Sequence, residues 1–141
     1  MNRGRGAGLL HPGVIVAVLV LLINDHYLKA AAPGFITGKL SDAAGLAYFP
    51  LFLQALWEWC GGGVSKRVLR VCCAATVLVF SSVKTIPLCH DLYEVGLGWL
   101  QYPVRAWIGA SAPARVALQM DPWDLLALPA VGLAWRWGRD R

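Results

Sequence analysis

Gly6 to Ile23 reads GAGLLHPGVIVAVLVLLI, and from Gly13 onward it contains no polar residue. Crossing about 30 Å of hydrocarbon takes about 20 helical residues, with about 17 as the lower limit. The run therefore predicts a membrane span over about residues 6–24, stopped by Asn24-Asp25-His26. Three more apolar runs lie downstream: AAGLAYFPLFLQALWEWC from Ala43 to Cys60, ending in Gly61-Gly62-Gly63; VCCAATVLVFSSVKTIP from Val71 to Pro87; and WDLLALPAVGLAWRW from Trp123 to Trp137. They predict spans over about 43–60, 69–87 and 121–137, the last taking its first turn from Asp121-Pro122. In lipid every backbone N–H and C=O must be paired, so these spans are expected to be helices. The many alternating strands of a barrel are not in the pattern. The expected fold is all-α: a single membrane domain over residues 1–141, polytopic, with four transmembrane helices. Pro50 and Pro129 each remove one helical hydrogen bond and invite a bend without ending a span.

Composition points the same way. With 57% hydrophobic and 15% charged residues and a mean hydropathy of +0.54, the chain is too apolar for an ordinary soluble or disordered protein. Four cysteines in 141 residues are too sparse for a disulfide scaffold. The net charge of +5 does not gather on a solvated face, as a nucleic-acid partner would require. It sits at the ends of the apolar runs. If the N-terminus is cytoplasmic, eight of the 13 basic residues (Arg3, Arg5, Lys66, Arg67, Arg70, Arg136, Arg139, Arg141) fall inside, and six of the eight acids fall outside. That asymmetry satisfies the positive-inside rule and makes both termini cytoplasmic. Trp57, Trp59, Trp135 and Trp137 then mark the inner boundary, with Trp99, Trp107 and Trp123 at the outer one. Gly45, Ala127, Ala130 and Ala134 allow close helix contact. The alternative for the first run is a removable signal peptide with Ala30-Ala31-Ala32 as cleavage site, against which stand Pro33 and the polar NDHYLK insert.

The stretch from His90 to Gly109, HDLYEVGLGWLQYPVRAWIG, has helical periodicity of another kind. On a 100° wheel Asp91, Glu94, Gly98, Gln101 and Arg105 share one face, and Leu92, Val95, Trp99, Leu100 and Trp107 lie around the other. This predicts an amphipathic helix in the outer interface over about residues 90–109, bent at Pro103. The alternative, a fifth span, would bury Glu94, Gln101 and Arg105 and move the C-terminus outside.

The polar residues that carry chemistry collect on the outer side. Asp25, Lys29, Lys39 and Asp42 lie in the first outer loop, Lys84 ends the third helix, and Asp121 and Asp124 open the fourth. Charges near lipid are costly unless paired, so these seven form a candidate polar cluster, three lysines facing four aspartates. Each also has a plainer reading. Asp121-Pro122-Trp123-Asp124 has the form of a helix start, with an N-cap, Pro at the first position and an acid in the first turn. Ser41-Asp42 reads as a cap for the second helix. Asp25 and Lys29 are spaced as an i,i+4 surface pair if the first helix continues, and Lys84 can reach to headgroups. Thr37-Gly38-Lys39-Leu40-Ser41 lacks the glycine spacing of a phosphate loop, although a lipid phosphate near Lys39 remains an expected anion. Cys89-His90-Asp91 does not give nucleophile geometry, and His26 with these residues has no zinc-site spacing. No metal, cofactor or catalytic residue is assigned.

The strings NDHYLKAAAPGFITGKLSDAAGLAYFP, Asn24 to Pro50, and DPWDLLALP, Asp121 to Pro129, resemble an uncharacterised family of small bacterial multi-pass membrane proteins. The resemblance covers most of the chain and is weakest from Cys89 to Met120. It implies a bacterial inner-membrane protein and carries over no activity. The function expected is a binding or accessory subunit with a charged outer-face pocket, in contact with membrane lipid and with a larger membrane complex or a second copy. Two alternatives stand beside it: a small enzyme acting on a lipid or amphiphile at the outer leaflet, and an oligomeric proton- or ion-linked transporter.

Overall fold

The computed structural model describes residues 4–32 and 34–139. Arg3, Pro33, Asp140 and Arg141, which enter the orientation and leader arguments, lie outside the described residues. Among those described, all regular structure is helical. A 3-10 turn, Ala7–Leu10, is followed by α1, Pro12–Ala31, which crosses a π-helical segment at Asn24–Leu28 without ending. Then come α2, Phe35–Trp59; α3, Lys66–Thr85; α4, Pro87–Trp107; a 3-10 stretch, Pro122–Ala130; and α5, Val131–Arg139.

The ends of these helices follow from their sequences. His11 caps α1 by accepting the Gly13 N–H at 3.0 Å, with Pro12 at the first helical position. At the start of α2 the Thr37 hydroxyl accepts the Gly34 N–H at 3.1 Å and donates back to the Gly34 carbonyl at 2.9 Å. The end of α2 is a Schellman turn: Gly62 N–H reaches the Trp57 carbonyl at 2.9 Å and Gly61 N–H reaches that of Glu58 at 3.3 Å, with Gly61 at φ +97°. Ser65 caps α3 through the Arg67 N–H at 3.1 Å.

Two helices, Pro12–Ala31 and Lys66–Thr85, are long and apolar enough to cross a membrane. Only 17% and 28% of their apolar windows are buried, which is the reverse of a core helix in a water-soluble fold. The runs at 43–60 and 121–137 do not reach that standard, so four spans are not established. Lys39, Asp42 and Glu58 interrupt the apolar character of α2, and the last run divides into a 3-10 stretch and a nine-residue α-helix at Pro129-Ala130.

Two local expectations are also corrected. The segment from Asn24 to Asp42 is not an open loop: helix runs to Ala31 and begins again at Phe35. Alanines at 30 to 32 and the Asp25–Lys29 pair sustain the first helix past the last apolar residue. Ser41 and Asp42 therefore lie two turns inside α2 rather than at its cap, because Gly34 and Thr37 supply the start. The amphipathic helix is found close to where its pattern puts it, and it runs through Pro103.

The chain divides into two compact units, one holding residues up to Leu78 with those from Asp124 onward, the other Val79–Trp123. In the first, Val14 of α1, Leu51 of α2, Leu69 of α3 and Ala134 of α5 form the core. Helix α2 packs on both α1 and α5. Gly13 of α1 lets Trp137 of α5 come close: a Cβ there would fall 2.4 Å from the Trp137 ring, which also stacks on His11. The second unit holds the end of α3 and α4, with the segment at 113–120 returning along α4. Gly98 makes that approach, since a Cβ would lie 2.2 Å from the Ala114 carbonyl oxygen.

Candidate functional site

The polar groups of the first unit meet where the π segment of α1 faces the opening turns of α2. Asn24 is fully buried. Its amide nitrogen donates to the Thr37 carbonyl at 2.6 Å and to the Ser41 hydroxyl at 2.7 Å. The Ser41 hydroxyl in turn donates to Asp25 Oδ1 at 2.5 Å, and the same oxygen takes the Lys29 ammonium at 2.7 Å. The result is one chain of donors and acceptors, Asn24 to Ser41 to Asp25 to Lys29, with its amide end buried and its ammonium end exposed. A π turn carries one residue more than an α turn and is frequent at functional sites. Here it holds the neighbouring Asn24 and Asp25 on the same serine. Asn24 Oδ1, also buried, has no hydrogen-bond partner among the described residues.

Across α2 from this chain, Lys39 pairs with Asp124 from the opening of the 3-10 stretch, and its ammonium lies 4.5 Å from the centre of the Phe35 ring. Asp124 is buried and Lys39 partly so. A pair this sheltered from water is strongly coupled, and removing one partner leaves the other charged and buried. Asp121 does what its motif predicts, accepting the Trp123 N–H at 3.0 Å. Asp124 goes beyond its predicted capping place by joining α2 to the last helical run. Asp42 is half-buried on α2 and also engaged with other groups.

Lys84 and Asp121 belong to the second unit. Lys84 is buried there, with its ammonium 3.4 Å from the Gln119 carbonyl and 5.6 Å from the Phe80 ring centre. The reading of Lys84 as a headgroup-reaching side chain is thus replaced by a contact to the return segment.

Several polar residues were not singled out from the sequence. Glu58 is fully buried and accepts the Gly6 N–H at 2.7 Å. Gln54, one turn earlier on the same face, is buried as well. The spacing of three and four residues among Leu51, Gln54, Ala55 and Glu58 was the available signal. In the second unit His90 and Glu94 are paired under the return segment. His90 does not serve Cys89, because its two ring nitrogens face the Val83 carbonyl and the Glu94 carboxylate. His26 Nδ1 lies 3.0 Å from the Leu22 carbonyl.

No group of three or more His, Cys, Asp or Glu side chains disposed to hold a metal ion occurs among the described residues. No protein-family model, no curated protein and no solved structure matches the chain.

Proposed function

We propose that this chain is an accessory or binding subunit of the bacterial inner membrane, crossing it four times with both ends cytoplasmic, and that within the first unit Asp25, through Ser41, and Lys39, through Asp124, fasten α2 to α1 and to the last helical run. The observation that carries this reading is that all seven candidate side chains are engaged with other groups of the protein. A general base or nucleophile is expected to face a space where a reacting atom can sit, whereas Asp25 pairs with Lys29, Lys39 with Asp124, and Lys84 and Asp121 are turned to backbone groups.

Span lengths support the four crossings. The 25 residues of α2 reach about 37 Å at about 1.5 Å per residue. Nine 3-10 residues at about 2.0 Å and nine α-helical residues at about 1.5 Å reach about 31 Å together. Thus the shortest apolar run gains its reach from the more extended 3-10 form. Helix α4 is taken to lie in the outer interface: the return segment packs on its polar face at Glu94 and Gly98, and Leu92, Trp99, Leu100 and Trp107 are left outward for acyl chains.

Native mass spectrometry of the chain released from lipid nanodiscs tests the assignment. The expected result is a multiple of the 15.3 kDa chain, or that chain with a second subunit in fixed ratio. A single chain that turns over a lipid would overturn it in favour of an enzyme.

A further inference from the structure

Four stretches of the first unit finish at the same end of it: the chain before α1, the end of α2, the start of α3 and the last turn of α5. A Cβ on Gly6 would fall 2.9 Å from the Trp59 ring at the end of α2. One on Gly138 of α5 would fall 2.6 Å from Leu69, in the first turns of α3, and 2.7 Å from Leu51 of α2. Residues 60–65 join α2 to α3 directly. This juxtaposition gathers Arg5, Lys66, Arg67, Arg70 and Arg136 around one rim, and all five are exposed.

The fold supplies no anion for these groups. Among the described residues none of the five enters an ion pair. Glu58, the carboxylate at the end of α2, is buried and turned to the Gly6 N–H at 2.7 Å. The first turn of α3 holds no acid. Lys66 and Arg67 meet the positive end of the helix dipole there, and Lys66 and Arg70 are like charges at i,i+4. Both arrangements are unfavourable until an anion arrives from outside the chain. Orientation in a membrane asks only that basic residues lie on one side, not that they crowd a helix start. Apolar groups stand among the charges: Trp57 and Trp59 are 52% and 53% exposed, and Val64 is exposed as well. Indole rings settle at the depth of lipid headgroups, so the occupant that fits rings and charges together is a membrane surface rather than a polyanion in water.

We propose that this rim docks the headgroups of anionic phospholipids, with Lys66, Arg67 and Arg70 at its centre and Trp57 and Trp59 seated among the headgroups. The assignment rests on the reading that places this end of the bundle at the cytoplasmic leaflet. Guanidinium groups hold phosphate oxygens in a two-pronged contact, and an ammonium adds a point charge. A basic residue close to an anionic membrane raises affinity about fivefold. A zwitterionic headgroup offers the same phosphate with a cation beside it, which the rim repels. An anionic lipid held there neutralises the start of α3, which the chain itself leaves unopposed.

Native mass spectrometry of the full chain in detergent, titrated with phosphatidylglycerol or with phosphatidylcholine of the same acyl chains, tests this. The unaltered chain is expected to retain phosphatidylglycerol in preference. Arg67→Gln should lower that preference about fivefold, and the triple variant Lys66→Gln, Arg67→Gln, Arg70→Gln should remove most of it. The three side chains are exposed, so the helical circular dichroism signal of both variants should match that of the unaltered chain. Equal retention of the two lipids by the unaltered chain overturns the proposal without recourse to any variant. So does a preference that survives in the triple variant. Binding of polyglutamate or of a short single-stranded DNA, with no preference between the lipids, overturns it in favour of an acidic protein or a nucleic acid. Detergent leaves both ends of the bundle open, so these results do not depend on orientation, and labelling from each side of the membrane tests the cytoplasmic placement by itself.

Discussion

Asn24 can meet both of its partners in only one orientation. Thr37 offers a carbonyl, so the NH2 end must face it, and the buried Oδ1 is turned away. Asn24→Asp would set a carboxylate against that carbonyl, and a buried unsatisfied charge outweighs the near-identity of shape. The expected loss is about 2–4 kcal/mol of stability, read as a lower midpoint in thermal unfolding of the detergent-solubilised chain, and Asn24→Ser should lose less. Lys39 and Asp124 invite a double-mutant cycle: either alanine substitution alone leaves a sheltered charge, at about 3–5 kcal/mol, while the double substitution should cost less than the sum of the two. Strict additivity would mean that the pair is not coupled. Both residues stand in the sequence as charged side chains of an outer cluster, and the Asp25–Lys29 spacing could be read directly. The partner of Lys39 could not, because 85 positions separate it from Asp124 and no local period links them.

At the scale of elements, legibility followed the strength of the periodic signal. Helix α4 was visible because its two faces differ in polarity over five turns, although its start at Pro87 falls three residues before the expected one and at the end of the predicted third span. The start of α2 was missed because Lys39, Ser41 and Asp42 break the apolar run, although Gly34 with Thr37 three residues later is a start signal independent of hydropathy. The π segment of α1 and the 3-10 stretch after Pro122 have no hydropathy signature. Gly98 tests how the return segment is held. Gly98→Ala would push a methyl group into backbone at Ala114, which cannot yield as a side-chain tip can. The expected cost is about 1–3 kcal/mol, borne by the return segment rather than by α4. Cleavage by trypsin after the exposed Arg115 should accelerate several-fold while the helical circular dichroism signal is retained. An unchanged cleavage rate would show that the close approach contributes nothing to holding the segment.

For the molecule as a whole, the decisive quantity is apolar surface that the fold itself leaves uncovered. Leu10, Val16, Leu78, Leu100, Trp107, Ile108 and Leu126 are all more than half exposed, while the core of the first unit centres on four residues from four helices. So many bare large side chains agree with the membrane association to which the two long apolar helices point, and the composition points the same way. The number of crossings does not follow from composition, because α2 carries charges at both ends and so looks the same to hydropathy whether it spans or lies flat. Labelling from each side separates the two cases. In a cysteine-free background, Ile36→Cys, Val64→Cys and Ile108→Cys place probes at exposed positions in the first turn of α2, between α2 and α3, and just after α4. With four crossings, an impermeant maleimide added to intact cells should label positions 36 and 108 and reach 64 only after permeabilisation. With α1 and α3 as the only spans, position 64 would share the side of 36, and 108 would be reached only from within. Labelling of 64 from outside would therefore reduce the bundle to two crossings, and the charge asymmetry that orients it would then need another cause.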